Sequence, residues 1–274
     1  MTIPYPAIAA IAARTSSYYL LVKPNFHAPF VYQQREDFVA RRSRVLNQVY
    51  NLLDDASKIR FASVIKSRIT GNTAYIIPSG DMYAHPPTDA APGDIVIDGG
   101  VFAFEGELEQ FSQAVGNSGH VYSFEPEPNN YNAILASRPQ GLPDNVTLVN
   151  AGLFNQKTTL YIHKDASASS LCSAQAPNAS PCEVTSLDAF VEEKGLPKVD
   201  LIKLDIEGAE LMALQGAAQC IARYSPKLKL SAYHTVDHIW QLPLLIAKFN
   251  PGYRYAFHTP APLMVEYIFF MYPQ

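Results

Sequence analysis

The chain has 274 residues, 48% apolar and 17% charged, with 21 Lys and Arg against 25 Asp and Glu for a net charge of −4. This composition excludes a disordered chain or a fibrous repeat and fits one large domain with an appendage, or two small ones. Its mild acidity removes the electrostatic ground for nucleic-acid binding, which needs a basic surface to neutralise phosphates. Cys172, Cys182 and Cys220 are too few and too scattered for a disulfide framework or a zinc site. A Cys172–Cys182 bridge stays open, but reduced thiols are the expectation. The opening residues carry Pro4 and Pro6 and lack a basic n-region, so no signal peptide is expected. No stretch approaches the roughly 18 apolar residues of a membrane span. A cytoplasmic protein with no membrane partner is expected.

The first 75 or so residues read as helical. Phe38, Val45, Leu46, Val49, Leu52 and Leu53 recur at near-helical spacing from Glu36 to Asp55. A second run over Ala56–Arg68 ends at Thr70-Gly71-Asn72, and the arginines at 41, 42 and 44 read as a solvated face. The Pro- and Gly-bearing stretch 78–93 marks a boundary. It separates an N-terminal helical extension, 1–90, from a main domain, 91–274. Strands are then expected at 94–98, 121–125, 146–150, 158–163, 199–205 and 228–233. Helices are expected at 107–115, 128–137, 186–193, from the 199–205 strand to about 222, and 239–249. A hairpin of 253–257 with 265–271 closes the chain, and the Ser-, Ala- and Pro-rich stretch 166–181 reads as a long loop. Strands alternating with helices predict an α/β fold, a mostly parallel sheet covered on both faces.

In such a sheet the ligand lies beyond the carboxyl ends of the strands. The polar residues at those ends are Asp98, Glu125, Asn150, Asp205 and His234. The turn Gly99-Gly100 lets backbone approach a ligand closely, and Glu125 is placed to accept both hydroxyls of a ribose. The turn lacks GxGxxG, and its carboxylates Asp98 and Glu105 would repel a pyrophosphate. They suit a cofactor carrying an ammonium and a sulfonium, S-adenosylmethionine.

Several segments then resemble the FkbM-type S-adenosylmethionine-dependent methyltransferases: IVIDGG (95–100), VYSFEPEPNNY (121–131), VNAGLF (149–154), TSLDAFV (185–191), VDLIKLDIEGAELMALQGA (199–217), KLKLSAYH (227–234) and IWQLPLLI (239–246). The resemblance implies a class I methyltransferase fold, Rossmann-like, with a seven-stranded sheet whose last strand is antiparallel. It implies O-methylation of a hydroxyl on a sugar, polyketide or other small natural product. Asp98 and Gly100 would line the methionine part of the cofactor, Glu125 the ribose, and Asn150 with Ala151 the adenine side. Phe102, Pro126, Asp205 and Tyr83 complete the cofactor-side set, Tyr83 standing at the end of a lid-like extension. One departure is the turn itself, where similar sequences read D-x-G-A-x-x-G and this chain has Phe104 at the last position and Gly106 two residues later.

Methyl transfer to an alcohol needs a base at the rim. His234 is the first candidate, its unperturbed pKa of about 6.5 suiting neutral pH. Asp205 and Glu207 are the next catalytic candidates, with Glu210 one turn on. His238 is expected to be exposed in the following helix. Asp205, Glu207 and His234 have spacing that permits a metal site, but none is expected. Ser169 and Ser170 are candidates to cap the adenine pocket. Lys203 is expected to pair with a rim carboxylate. A non-catalytic binding protein of the same fold is the alternative function, and a nicotinamide-dependent oxidoreductase the more remote one. The acceptor is a small molecule or glycan, and the aromatics of the N-terminal segment leave a homodimer open.

Overall fold

Five short apolar runs become the parallel part of a seven-stranded sheet: β1 (Ile95–Gly99), β2 (His120–Phe124), β3 (Val146–Val149), β8 (Leu201–Leu204) and β9 (Lys227–Ser231). The computed structural model describes residues 35–70, 72–80, 83–101, 106–165, 168–172, 179–260 and 266–274, with backbone alone for 35–41, 70 and 163–172. The strand order is β10-β11-β9-β8-β1-β2-β3, where β10 is Tyr253–His258 and β11 is Ile268–Pro273. β11 runs antiparallel to both of its neighbours, the ending that the sequence implied. This is the class I methyltransferase topology.

Strands covered on both faces are apolar almost throughout. Val96, Val121 and Leu201 face α3 (Glu107–Val115) and α4 (Pro128–Ala136) in one core. Ile97, Phe124 and Ile202 face the other way, into a larger core with α5 (Leu187–Lys194), α6 (Glu210–Gln215), α7 (Ala218–Tyr224) and α8 (His238–Phe249). Two earlier helices, α1 (Arg35–Leu52) and α2 (Asp55–Thr70), belong to that same core through Leu46, Val49, Phe61, Val64, Ile65 and Ile69. Leu53 also bridges to Tyr255 in β10. The described part of the extension is therefore a structural layer of the sheet.

The stretch 166–181 differs from expectation. A second sheet, ordered β4-β7-β5-β6, is built from β4 (Gly152–Leu153), β5 (Thr158–Asp165), β6 (Ala168–Cys172) and β7 (Ala179–Thr185). Ser, Ala and Pro have poor strand propensity, but β5 offers two free edges, and pairing overrides propensity there. Ser169 and Ser170 thus lie on β6, opposite Lys164 and His163, and not in a loop. Cys172 lies opposite Tyr161 on one side of β5, and Cys182 opposite Leu160 on the other. Two strand spacings, about 9–10 Å, are too far for a disulfide.

The single helix expected before residue 222 is two helices, broken at Gly216. A Cβ there would stand 2.2 Å from the Phe154 carbonyl oxygen and 2.9 Å from the Asn155 Cα. The β4–β5 turn presses on the backbone at that point. Asp188 then caps α7 from outside, its carboxylate accepting from the N–H groups of Gln219 (3.0 Å) and Cys220 (2.8 Å). Among the described residues, no helix is long and apolar enough to cross a membrane.

Gly216 has an ordinary φ of −78°, so its substitution is a purely steric test. Gly216→Ala is expected to lower unfolding stability by about 2–3 kcal/mol in chemical denaturation. Gly195→Ala, at φ +60° with open space around it, should cost about 1–2 kcal/mol from backbone strain alone.

Candidate active site

The register of the sheet sets a polar row inside it. Asp98 lies opposite Ser123 on one side and Lys203 on the other, and Lys203 lies opposite Lys229. Lys203 is 1% exposed. Its ammonium donates to the Gly100 carbonyl at 2.8 Å and lies 2.9 Å from Glu107 Oε2 and 3.3 Å from Asp98 Oδ1. Ser123 donates to the other Asp98 oxygen at 2.9 Å. Burial opposes the charge on Lys203, but Asp98, Glu107 and Asp205 together raise its pKa well above the usual lysine range. The expected ion pair is present. The Asp98 carboxylate is itself 1% exposed and turned into the sheet beside Lys203.

Two turns meet above this row. Gly100 has φ +87°, and a Cβ there would lie 1.8 Å from the Asp205 carbonyl oxygen. Glycine is required, because the turn after β1 rests directly on the turn after β8. That second turn, Asp205-Ile206-Glu207-Gly208, holds Glu207 in the left-handed region at φ 54°. Such a conformation costs a non-glycine residue about 1–3 kcal/mol and persists where surrounding structure enforces it. Glu210 does the enforcing. Fully buried, its Oε1 accepts from the Ile206 N–H at 2.9 Å and more weakly from the Gly208 N–H at 3.4 Å. The third carboxylate of DIEGAE is thus the anchor of the turn.

Around Asp205 the elements close a ring. Tyr83 donates its hydroxyl to Asp205 Oδ2, and Tyr233 donates to Oδ1 at 3.0 Å. His234 Nε2 lies 3.3 Å from Asp205 Oδ1 and 3.5 Å from Glu207 Oε2, while Nδ1 is 2.7 Å from Glu210 Oε1. His238, expected to be exposed, is 2% exposed at the start of α8, with Nδ1 3.2 Å from Glu210 Oε2. The apolar pattern of α8 hides this, because His238 occupies its first turn and turns back toward Glu210. Burial and the Asp205 charge push both tyrosine hydroxyls far above the usual phenol range, so they remain donors. Burial opposes protonation of His234, but Glu210, Asp205 and Glu207 outweigh it and push its pKa up to about 9. The ordinary value expected for His234 is corrected by these three carboxylates.

The residues expected on the ribose and adenine sides come together one and two strands away. Glu125 follows β2, its Oε1 accepting from the Glu127 N–H at 2.8 Å. Asn150 follows β3 and donates Nδ2 to the Glu125 carbonyl at 2.9 Å, tying the two strand ends together. Pro126 packs beside Gly152, and the Ala151 N–H donates to the Val149 carbonyl at 2.9 Å. Phe102, with the rest of the altered turn at 102–105, lies outside the described residues. Gly100, Glu125, Asn150, Asp205, Glu207, His234 and Tyr83 therefore share one rim, while the Asp98 carboxylate is turned into the sheet below it. Trp240 belongs to the core, with the Arg42 guanidinium 5.1 Å over its ring. Glu107 was read only as the start of a helix; its place one residue past Gly106 was the available signal.

The rim fits a cofactor with a sulfonium and an ammonium. Gly100 does not give the backbone access expected of it, since its bare face meets the Asp205 carbonyl, its own carbonyl accepts from Lys203 and its N–H donates to the Phe124 carbonyl at 3.2 Å. The fit rests on carboxylates that outnumber the one lysine at the β1 end and on Glu125 at the second strand. Donor atoms of Asp205, Glu210 and His234 also lie within 4.8 Å of one another. A divalent cation entering there would have to displace the hydrogen bonds that these groups make among themselves.

Residues 100–257, more than half the chain, match the Methyltransferase FkbM domain. The chain belongs to the FkbM methyltransferase family. S-adenosylmethionine is its cofactor. Among solved structures, an FkbM methyltransferase from Methylobacillus flagellatus is similar at 20% identity and a TM-score of 0.69, over 86% of this chain. This chain spans 61% of the length of that relative. A fibrillarin from Aeropyrum pernix with bound S-adenosylmethionine is a much looser likeness, at 10% identity and a TM-score of 0.41 over 70% of each chain. No curated protein matches the sequence.

Two outcomes test the electrostatics of this FkbM rim. Lys203→Met should cost about 3–5 kcal/mol of stability, because Asp98 and Glu107 are left buried beside no cation. His234 has a folded pKa above its unfolded value of about 6.5, so its stabilisation is full below that pH. It is lost as pH rises through about 9. Denaturation curves should show stability falling across that window in the wild type, and the fall should be smaller in His234→Gln.

Proposed function

We propose that this FkbM-family chain transfers the methyl group of S-adenosylmethionine to a hydroxyl of a sugar or other small-molecule acceptor. The supporting observation is the line Glu210–His234–Asp205 at the rim, with 2.7 Å between Glu210 Oε1 and His234 Nδ1. The cofactor supplies an electrophilic methyl group on sulfur, which leaves with the electron pair as the neutral thioether while the acceptor oxygen forms the new bond.

The chain's own residues supply position and a proton acceptor. Glu210 holds the Nδ1–H of His234 and so directs Nε2 toward the rim. An acceptor hydroxyl that takes the place of Asp205 at Nε2 gives its proton to that nitrogen as the carbon–oxygen bond forms. Tyr83 and Tyr233 keep Asp205 aligned for a second hydrogen bond to the acceptor, and their rings offer apolar faces to a sugar. With His234 near 9, only about one molecule in a hundred holds the neutral imidazole at pH 7. The rate should therefore climb with pH.

Transfer of labelled methyl from S-adenosylmethionine to a panel of sugars, polyols and phenols tests this reading. Label on oxygen, with kcat/KM rising through a midpoint near pH 9, is the expected result. His234→Gln should lower kcat at least about 100-fold and flatten the profile. Glu210→Gln removes the partner that raises the histidine, so its alkaline limb should move toward lower pH while kcat falls. A rate already flat above pH 6 would remove His234 as the proton acceptor. Label on nitrogen or carbon, or binding with no transfer to any acceptor, would overturn the O-methyltransferase reading.

A further inference from the structure

Glu107 opens α3 and reaches back over the end of β1. Only its Oε2 is engaged, 2.9 Å from the Lys203 ammonium. Its Oε1 is sealed from solvent and has no hydrogen-bond partner among the described residues. A buried carboxylate oxygen left in this state is costly and is normally matched to a donor. The charges around it are unbalanced as well. Asp98, Asp205 and Glu107 all act on the one ammonium of Lys203. Tyr83, the other group facing Glu107, stays neutral. Lys229 acts from β9, but burial lowers its pKa, and it is held by the Tyr83 carbonyl at 2.8 Å and by Asp89 at 3.2 Å.

We propose that Glu107 is a further cofactor contact, its free Oε1 accepting from the ammonium of the methionine moiety and its carboxyl releasing a proton to solvent as that ammonium arrives. This rests on S-adenosylmethionine binding at the β1 rim. Burial, opposed by Lys203 and reinforced by Asp98 and Asp205, pushes the Glu107 pKa up to about 7. The carboxyl is therefore divided between its two forms near neutral pH, and an arriving cation selects the ionised one. Affinity rises with pH until the Glu107 carboxyl is fully ionised.

Isothermal titration between pH 6 and 7.5, in buffers of different ionisation heat, measures affinity and proton release together. The probes are S-adenosylmethionine, S-adenosylhomocysteine, which keeps the ammonium without the sulfonium charge, and 5′-methylthioadenosine, which has neither. In the wild type both amino-acid-bearing ligands should release a fraction of a proton, and 5′-methylthioadenosine none. Glu107→Gln should weaken both by about tenfold, abolish the release and leave 5′-methylthioadenosine binding unchanged, which also reports an intact fold. Unchanged affinity and proton release in Glu107→Gln overturn the proposal and leave the cofactor in place. Should that variant not fold, absence of proton release in the wild type overturns it as well. Failure of the wild type to bind any of the three removes the cofactor site itself, and with it this contact.

Discussion

The ammonium of Lys203 sits inside the sheet, where a cation is tolerable only if anions and dipoles surround it. Strand register supplies them: Asp98 from β1 at the same level, Glu107 from the helix above, and the Gly100 carbonyl from the turn. That one charge fixes the turn after β1, the start of α3 and the end of β8 to each other. It also lies 5.4 Å from the Tyr83 ring, bringing the segment before the sheet over the same place. The rim inherits its geometry from a buried ion network and not from the loops that surround it.

The second consequence is a division of labour among the carboxylates. Glu210 is spent on structure, filling the amides of a strained turn and holding two histidines. Asp205 faces the opening, held by two phenols that keep their protons. Glu207 pays for its place with an unfavourable backbone angle. Three acidic residues within six positions therefore occupy three environments, and environment separates otherwise identical groups into anchor, contact and flank.

Much of this was legible in the chain because it depends on period and order. The apolar runs ending in Asp98, Glu125, Asn150, Asp205 and His234 mark the strands and their rim, and LIKLDIEGAE marks the turn that holds Asp205, Glu207 and Glu210. The second sheet was not legible, since Ser and Ala on β6 and β7 form strands only because β5 lies between them. The break at Gly216 was hidden for a similar reason, because its cause is the Phe154 carbonyl on another element. His238 and Glu107 escaped because burial depends on what packs over a helix's first turn. The raised pKa of His234 depends on three carboxylates converging in space, which linear spacing cannot report.

The contact between Gly100 and the Asp205 carbonyl has a consequence for how this enzyme family can diversify. With no room for even a methyl group between them, the turn after β1 and the turn after β8 behave as one casting. A change of acceptor cannot come from sliding one turn past the other. It has to come from residues that reach over the two turns from other elements, Tyr83 and Tyr233 among them. New specificities are therefore expected to arise by exchanging side chains on an unchanged frame.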